Sequence, residues 1–286
     1  IKIPYKYIHP FTELPVVLSL FVPTIAIQIY TVLDKTMIGL ITKNAFENGY
    51  YEQALKLSRM VLTIVTALGT VMIPRIGYFF EKKNTEEVRC LMYRGYRFVW
   101  FLGIPLCIGL ICVSSNFVPW FFGKGYEKVT DLLAVLAFLI PVIGINNVTG
   151  MQYLIPTRRQ NMFTLTVMIG AVTNFILNAA LIPIMQSMGA AIASVAAESV
   201  IAVVQLIMVR KELSVSRILK EGIHYYIAVT VMSAVLILIG RILSPSIMHT
   251  GILVVCGAIV YLLMLLLMED EFLISNIRFL SCKIHK

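Results

Sequence analysis

Two runs of polar side chains inside otherwise apolar sequence could do chemistry. In one, Thr24, Gln28, Thr31 and Lys35 recur at steps of 4, 3 and 4; in the other, Glu52, Lys56, Arg59, Thr63, Thr66 and Thr70 recur at steps of 4, 3, 4, 3 and 4. Such steps put each run on one face of a helix, and Asp34 falls about 100° round on the face adjoining Lys35. An ionised side chain near the centre of a bilayer costs about 2.5–3.5 kcal/mol on insertion scales, so charge at that depth is a functional hypothesis by default. Two readings compete. Glu52 could pair with Lys56 at i, i+4, and Asp34 could reach Lys56 or Arg59 across the helix pair. Alternatively, the stripes line a water-filled cationic cavity, with Lys35, Lys56 and Arg59 backed by Gln28, Thr31, Thr63 and Thr66. The cavity accounts for the whole stripe, because three cations outnumber two carboxylates and the threonines extend beyond them.

Later segments add quieter candidates. Asn146, Asn147 and Gln152 lie in one apolar run, and Asn174 and Asn178 stand at i, i+4 in the next. Hydrogen bonding between helices explains such amides as well as ligand contact does. Glu198 sits in GAAIASVAAESV, where small residues permit close helix approach and a carboxylate must be protonated or paired. It is a candidate for proton coupling or for pairing with a buried cation, and Asp34 and Glu52 share that choice of roles. The five cysteines show no zinc-ligand spacing and the four histidines are scattered, so neither metal nor cofactor chemistry is expected.

The elements that must hold these residues are membrane helices. Of 286 residues 59% are apolar and 14% charged, with a mean hydropathy of +0.86, whereas a soluble domain averages roughly 45–50% and about 25%. Runs of about 20 apolar residues, the length needed to span the bilayer core, number eight: near Leu14 to Thr42, Tyr51 to Phe79, Val88 to Ser115, Asp131 to Ile155, Met162 to Met185, Ala190 to Arg210, Tyr225 to Leu243 and Gly251 to Met268. The expected fold is therefore an all-α integral membrane protein. Pro23, Pro74, Pro105, Pro141 and Pro183 lie inside spans and are expected bends. The longest breaks, around Glu81 to Glu87 and Lys211 to Gly222, read as polar connectors or short interfacial helices.

The net charge of +9 does not indicate nucleic acid, because the basic residues sit in short breaks between apolar runs rather than on a solvated face. Alternate breaks hold sixteen Lys and Arg on one side and four on the other, which places both ends in the cytoplasm by the positive-inside rule. The chain opens on Ile1 without a signal-peptide pattern and reads as a segment of something longer.

The runs AIQIYTVLDKTMIGL, NGYYEQALKLSRMVLTIVTALGTVMIPRIG, FFGKGY and LIPTRRQ, in that order, resemble the C-terminal half of bacterial polysaccharide repeat-unit flippases of the Wzx type, in the multidrug, oligosaccharidyl-lipid and polysaccharide exporter superfamily. The resemblance implies a second six-helix lobe followed by two further helices: a cytoplasmic or interfacial lead-in over 1–13, the lobe over 14–211, the additional pair over 212–268 and an amphipathic cytoplasmic tail over 269–286. It implies a transporter rather than an enzyme, which moves a polyprenyl-pyrophosphate-linked glycan across the bacterial cytoplasmic membrane between this lobe and an N-terminal lobe outside the chain. The family's cavity cations match Lys56 or Arg59. A pyrophosphate and a sugar need Arg and Lys backed by Thr, Asn and Gln, which the stripes, with Asn174 and Asn178, supply. A multidrug-cation exporter of the same superfamily would want an acidic, aromatic cavity. A membrane glycosyltransferase or polymerase would want catalytic carboxylates or a long interfacial loop.

Overall fold

The computed structural model describes residues 14–276. The lead-in over 1–13 and the last ten residues of the tail, with Cys282 and the basic residues Lys2, Lys6, Arg278, Lys283 and Lys286, lie outside the described residues. Among the described residues the architecture is all-α, 87% helix with no strand. In chain order the helices are α1 (Leu14–Thr42), α2 (Ala45–Thr66), α3 (Gly69–Glu81), α4 (Thr85–Phe121), α5 (Glu127–Leu136), α6 (Leu139–Asn146), a π-helical segment (Asn147–Leu154), α7 (Gln160–Met185), α8 (Ser187–Val209), α9 (Val215–Ile242) and α10 (Ile247–Leu267). Merging α2 with α3, and α5 with α6 and the π segment, gives seven candidate membrane spans between Ala45 and Leu267. The 29 residues of α1 precede them and make about eight.

The apolar runs locate the spans, and the termini show where polar residues stop the helices. Asn44 caps α2 by accepting from the Phe46 amide, Asn84 caps α4 through the Glu87 amide, and Ser214 caps α9 through the Arg217 amide. The two longest breaks, expected as polar connectors or short interfacial helices, are largely taken up by the ends of the long helices. Helix continues to Glu81 and resumes at Thr85, and α9 begins at Val215, so Arg217, Lys220 and Glu221 ride on its first turns. An exposed i, i+4 pair, Arg217 Nε to Glu221 Oε1 at 2.9 Å, lets those turns stay helical where the apolar pattern has already stopped.

Of the expected bends, Pro141 interrupts its span: it has no amide to give Ala137, the chain turns at Ala137 and Phe138, and Ile140 takes the Ala137 carbonyl at 3.0 Å instead. Pro105 and Pro183 lie within the continuous helices α4 and α7. The second span breaks before Pro74, at Ala67 and Leu68. Thr63, Thr66 and Thr70 turn their hydroxyls back onto the carbonyls of Met60, Leu62 and Ala67 at 2.6, 3.3 and 2.8 Å, a habit that bends helices. Gly69 completes the hinge. A Cβ there would stand 3.0 Å from Asn147 Oδ1 and 3.4 Å from Gln152 Nε2, so a larger residue would make those side chains give by a few tenths of an ångström where α3 meets the π segment.

Two apolar clusters fill the bundle. One centres on α4 with α9 and α10, around Tyr96, Trp100 and Tyr225; the other lies under α1, α2 and α5, around Ile38, Tyr51 and Leu132. Polar contacts sort the connections into two ends. At one, Arg158 meets Glu81 and Arg159 meets Glu212, each at 2.7 Å or less, and Tyr225 donates to Asp270. At the other, Asn116 donates to the Ser244 carbonyl, and Lys128 spans Glu47 and Gln186.

Candidate functional site

The α2 stripe lies on the outside of the described bundle. Lys56, Arg59, Thr63 and Thr70 are exposed, Glu52 and Thr66 half-buried; alongside on α1, Gln28 is exposed, Lys35 half-buried and Thr31 buried. Glu52 Oε1 stands 3.1 Å from both Lys35 Nζ and Lys56 Nζ, so one carboxylate serves two lysines and a positive charge is left over. Arg59 donates from Nη2 to Thr31 Oγ1 at 3.3 Å and has no ion pair among the described residues. Both competing readings of the stripe thus have a part here: the Glu52–Lys56 pair forms, and a net cationic face remains. Lipid tails cannot solvate that face. Ammonium and guanidinium groups with spare donors can hold an anion there, and a guanidinium grips phosphate oxygens in pairs.

Asp34 points the other way, into the bundle, and is 3% exposed. Four helices meet on it. Tyr51 of α2 donates its hydroxyl to Oδ2 at 2.8 Å, Ser194 of α8 donates to the same oxygen at 2.8 Å, and Asn178 of α7 donates to Oδ1 at 2.6 Å. Asn174 Oδ1 accepts from Asn178 at 3.0 Å, one turn along. The reading that pairs Asp34 with Lys56 or Arg59 is not what forms, because the neutral donors around it already occupy both oxygens. Asn174 Nδ2 and Asn178 Oδ1 are buried without hydrogen-bond partners, so the cluster has unused polar capacity. The described residues hold no group of three His, Cys, Asp or Glu suited to a metal. A single carboxylate among hydroxyls and amide oxygens has the chemistry to exchange a proton or a small monovalent cation.

Tyr51 and Ser194 carry no local signal that would mark them as partners of Asp34; they reach it across sequence separations of 17 and 160. Glu198 sits elsewhere, between α6 and α8, where Asn146 Nδ2 donates to its Oε2 at 2.7 Å and to its carbonyl at 3.0 Å. The site residues therefore form three groups: the exposed stripe, the Asp34 cluster, which contains Asn174 and Asn178, and the Glu198–Asn146 contact.

A further buried carboxylate, Glu47, has no marked sequence pattern around it. It is buried at 5%, and Lys128 Nζ reaches its oxygens at 2.6 and 2.7 Å while Ser187 donates its hydroxyl at 2.6 Å and its amide at 3.2 Å. This clasp ties the starts of α2, α5 and α8 together. Lys128→Met should lower unfolding stability by on the order of 2 kcal/mol, below the ~3–5 kcal/mol of a fully buried pair because Lys128 is partly exposed. Adding Glu47→Gln should recover most of that loss, as read by thermal unfolding in detergent.

A model of the polysaccharide biosynthesis protein family matches residues 13–131. The probable flippase AglR of Haloferax volcanii is 28% identical over 174 residues, covering 58% of this chain and 35% of AglR. The solved structure of the lipid II flippase MurJ in its inward closed conformation matches with a TM-score of 0.73 at 20% identity, over 92% of this chain and 57% of that one. The fold is thus that of a MurJ-like multi-pass helical membrane protein. These matches agree with the resemblance to polysaccharide flippases carried by the sequence runs. The chain spans about a third of the curated relative and somewhat over half of the solved structure.

Proposed function

We propose that this chain forms the cation-bearing lobe of a transporter that flips a polyprenyl-pyrophosphate-linked oligosaccharide across the cytoplasmic membrane for cell-surface polysaccharide synthesis. The observation that carries the reading is the exposed Lys56, Arg59 and Thr63 on a membrane span, on a face that lipid cannot cover. A second lobe, supplied by the longer polypeptide, would close the other side of the cavity. The division into a six-helix lobe over 14–211 and a pair over 212–268 fits this arrangement, as do cytoplasmic placement of both ends and of the Arg-rich connections.

The mechanism follows from the groups available. Lys35, Lys56 and Arg59 draw the diphosphate in from the cytoplasmic side, while Gln28, Thr63 and Thr66 offer hydrogen bonds to sugar hydroxyls and the buried Thr31 holds Arg59 in place. Rocking of the lobe about the Ala67–Leu68 hinge and the Pro141 break turns the cavity outward. Asp34, wedged between α1, α2, α7 and α8, biases that movement by taking up a proton or a small cation, since its charge state alters the packing of all four helices. No covalent chemistry on the substrate is required.

The test is substrate class. The full-length polypeptide in proteoliposomes should translocate a lipid-linked diphosphate sugar and leave a lipophilic dye cation untransported. Transport of the cation without the diphosphate would replace this reading with the multidrug exporter.

A further inference from the structure

A second cationic feature lies away from the α2 stripe, at the end of the bundle where α4 and α9 begin. A cleft of about 730 Å³ opens there between the first turns of both helices and the helical residues 271–276. Its walls carry Arg89, Arg94, Arg97, Arg210, Lys211 and Arg217 against Glu86, Glu212 and Glu221. Two of those carboxylates are committed. Arg159, outside the cleft, holds Glu212 at 2.7 Å, and Arg217 holds Glu221 at 2.9 Å. Arg89, Arg94, Arg210 and Lys211 are exposed and have no ion pair among the described residues. The N-termini of two long helices add their positive dipole ends to the same space.

Arg97 sits deepest. Its guanidinium is 3.9 Å from Asp270 and 3.7 Å from Glu271, too far for hydrogen bonds, and its Nε is buried without a partner. Phe272 closes the floor beside it, against Phe101 at 5.3 Å between ring centroids. The cleft therefore offers uncommitted guanidinium donors at the level where helices leave the bilayer, with an aromatic floor beneath them. Solvated flanking charge alone would not give the concavity.

We propose that this cleft binds a phosphate group, presented by the headgroup of an anionic phospholipid of the adjoining leaflet. The site is independent of the transport reading, because none of its residues belongs to the α2 stripe or the Asp34 cluster. Basic pockets between membrane helices suit such headgroups, and each surface cation contributes about a factor of five in affinity.

The test titrates the full polypeptide in neutral detergent, by calorimetry, with short-chain phosphatidylglycerol, short-chain phosphatidylcholine and inorganic phosphate. Phosphatidylglycerol should bind saturably and phosphatidylcholine should not. Arg94→Gln with Arg210→Gln should weaken binding about thirtyfold, whereas Lys82→Gln with Lys83→Gln, the same charge removed outside the cleft, should leave it unchanged. Inorganic phosphate that competes at the same site with the same dependence on Arg94 and Arg210 would keep the phosphate site and make its occupant a soluble anion. Equal binding in all three proteins, or no saturable binding of either anion, would overturn the proposal.

Discussion

Arg59→Ala in the full-length polypeptide should lower flipping of a lipid-linked diphosphate sugar by roughly tenfold to a hundredfold, the value of about 1.5–3 kcal/mol for a hydrogen-bonded charge lost from a binding site. Arg59→Lys should rescue it only in part, because an ammonium keeps the charge but loses the planar fork. The double variant with Asp34→Ala separates substrate binding from internal neutralisation. Were Arg59 present to offset Asp34, removing both would restore transport. Arg59 instead rests on Thr31, and Asp34 on Tyr51, Ser194 and Asn178, so the double variant should be as inactive as the worse single one. Recovery would remove Arg59 from the substrate site. Lys56 calls for a different partner in its cycle, Glu52, which it shares with Lys35.

The second large effect is at Asp34. Asp34→Asn removes the charge at nearly constant shape, and Asn178 can rotate its amide so that its unpartnered Oδ1 accepts from the introduced group. Membrane levels and unfolding temperature should therefore stay near those of the parent protein. Transport should fall at least tenfold and lose its response to an imposed ion or proton gradient, an order-of-magnitude expectation for loss of a coupling charge. Asp34→Ala is the harsher control. It takes away the shared acceptor of Tyr51, Ser194 and Asn178; Tyr51 and Ser194 can still bond each other at 3.0 Å and Asn178 keeps Asn174, so one hydroxyl donor is left stranded at about 1–3 kcal/mol and stability should fall as well. Normal gradient-driven transport by the Asn variant would reduce Asp34 to a structural tie.

The spans were legible because hydrophobic length is a sufficient code for a helix that crosses a bilayer. Even so, Arg217, Lys220 and Glu221 hid the first turns of α9, since charges at a membrane surface end an apolar run without ending a helix. Proline was a partial guide: Pro141 marks a break, while the break in the second span belongs to three back-bonding threonines and to Gly69. The cationic stripe could be read because its members share one helix and repeat at 3 and 4. The partners of Asp34 could not, because Tyr51 and Ser194 meet it only through the packing of α1, α2 and α8. For the same reason Glu47, in the first turn of α2, carries no sequence signal: its clasp with Lys128 and Ser187 forms only through the packing of α2, α5 and α8.

In this mechanism the α2 stripe faces water rather than lipid. Single cysteines placed along α2 of a cysteine-free full-length polypeptide, treated in membranes with a charged, lipid-insoluble thiol reagent, test it most directly. Positions 56, 59, 63 and 70 should react, position 64 on the apolar exposed side should not, and a lipid-linked diphosphate sugar should protect position 63, where Lys56 and Arg59 are kept. Uniform lack of reaction along the stripe, with protein present and folded in the membrane, would contradict the cavity and the transport mechanism built on it.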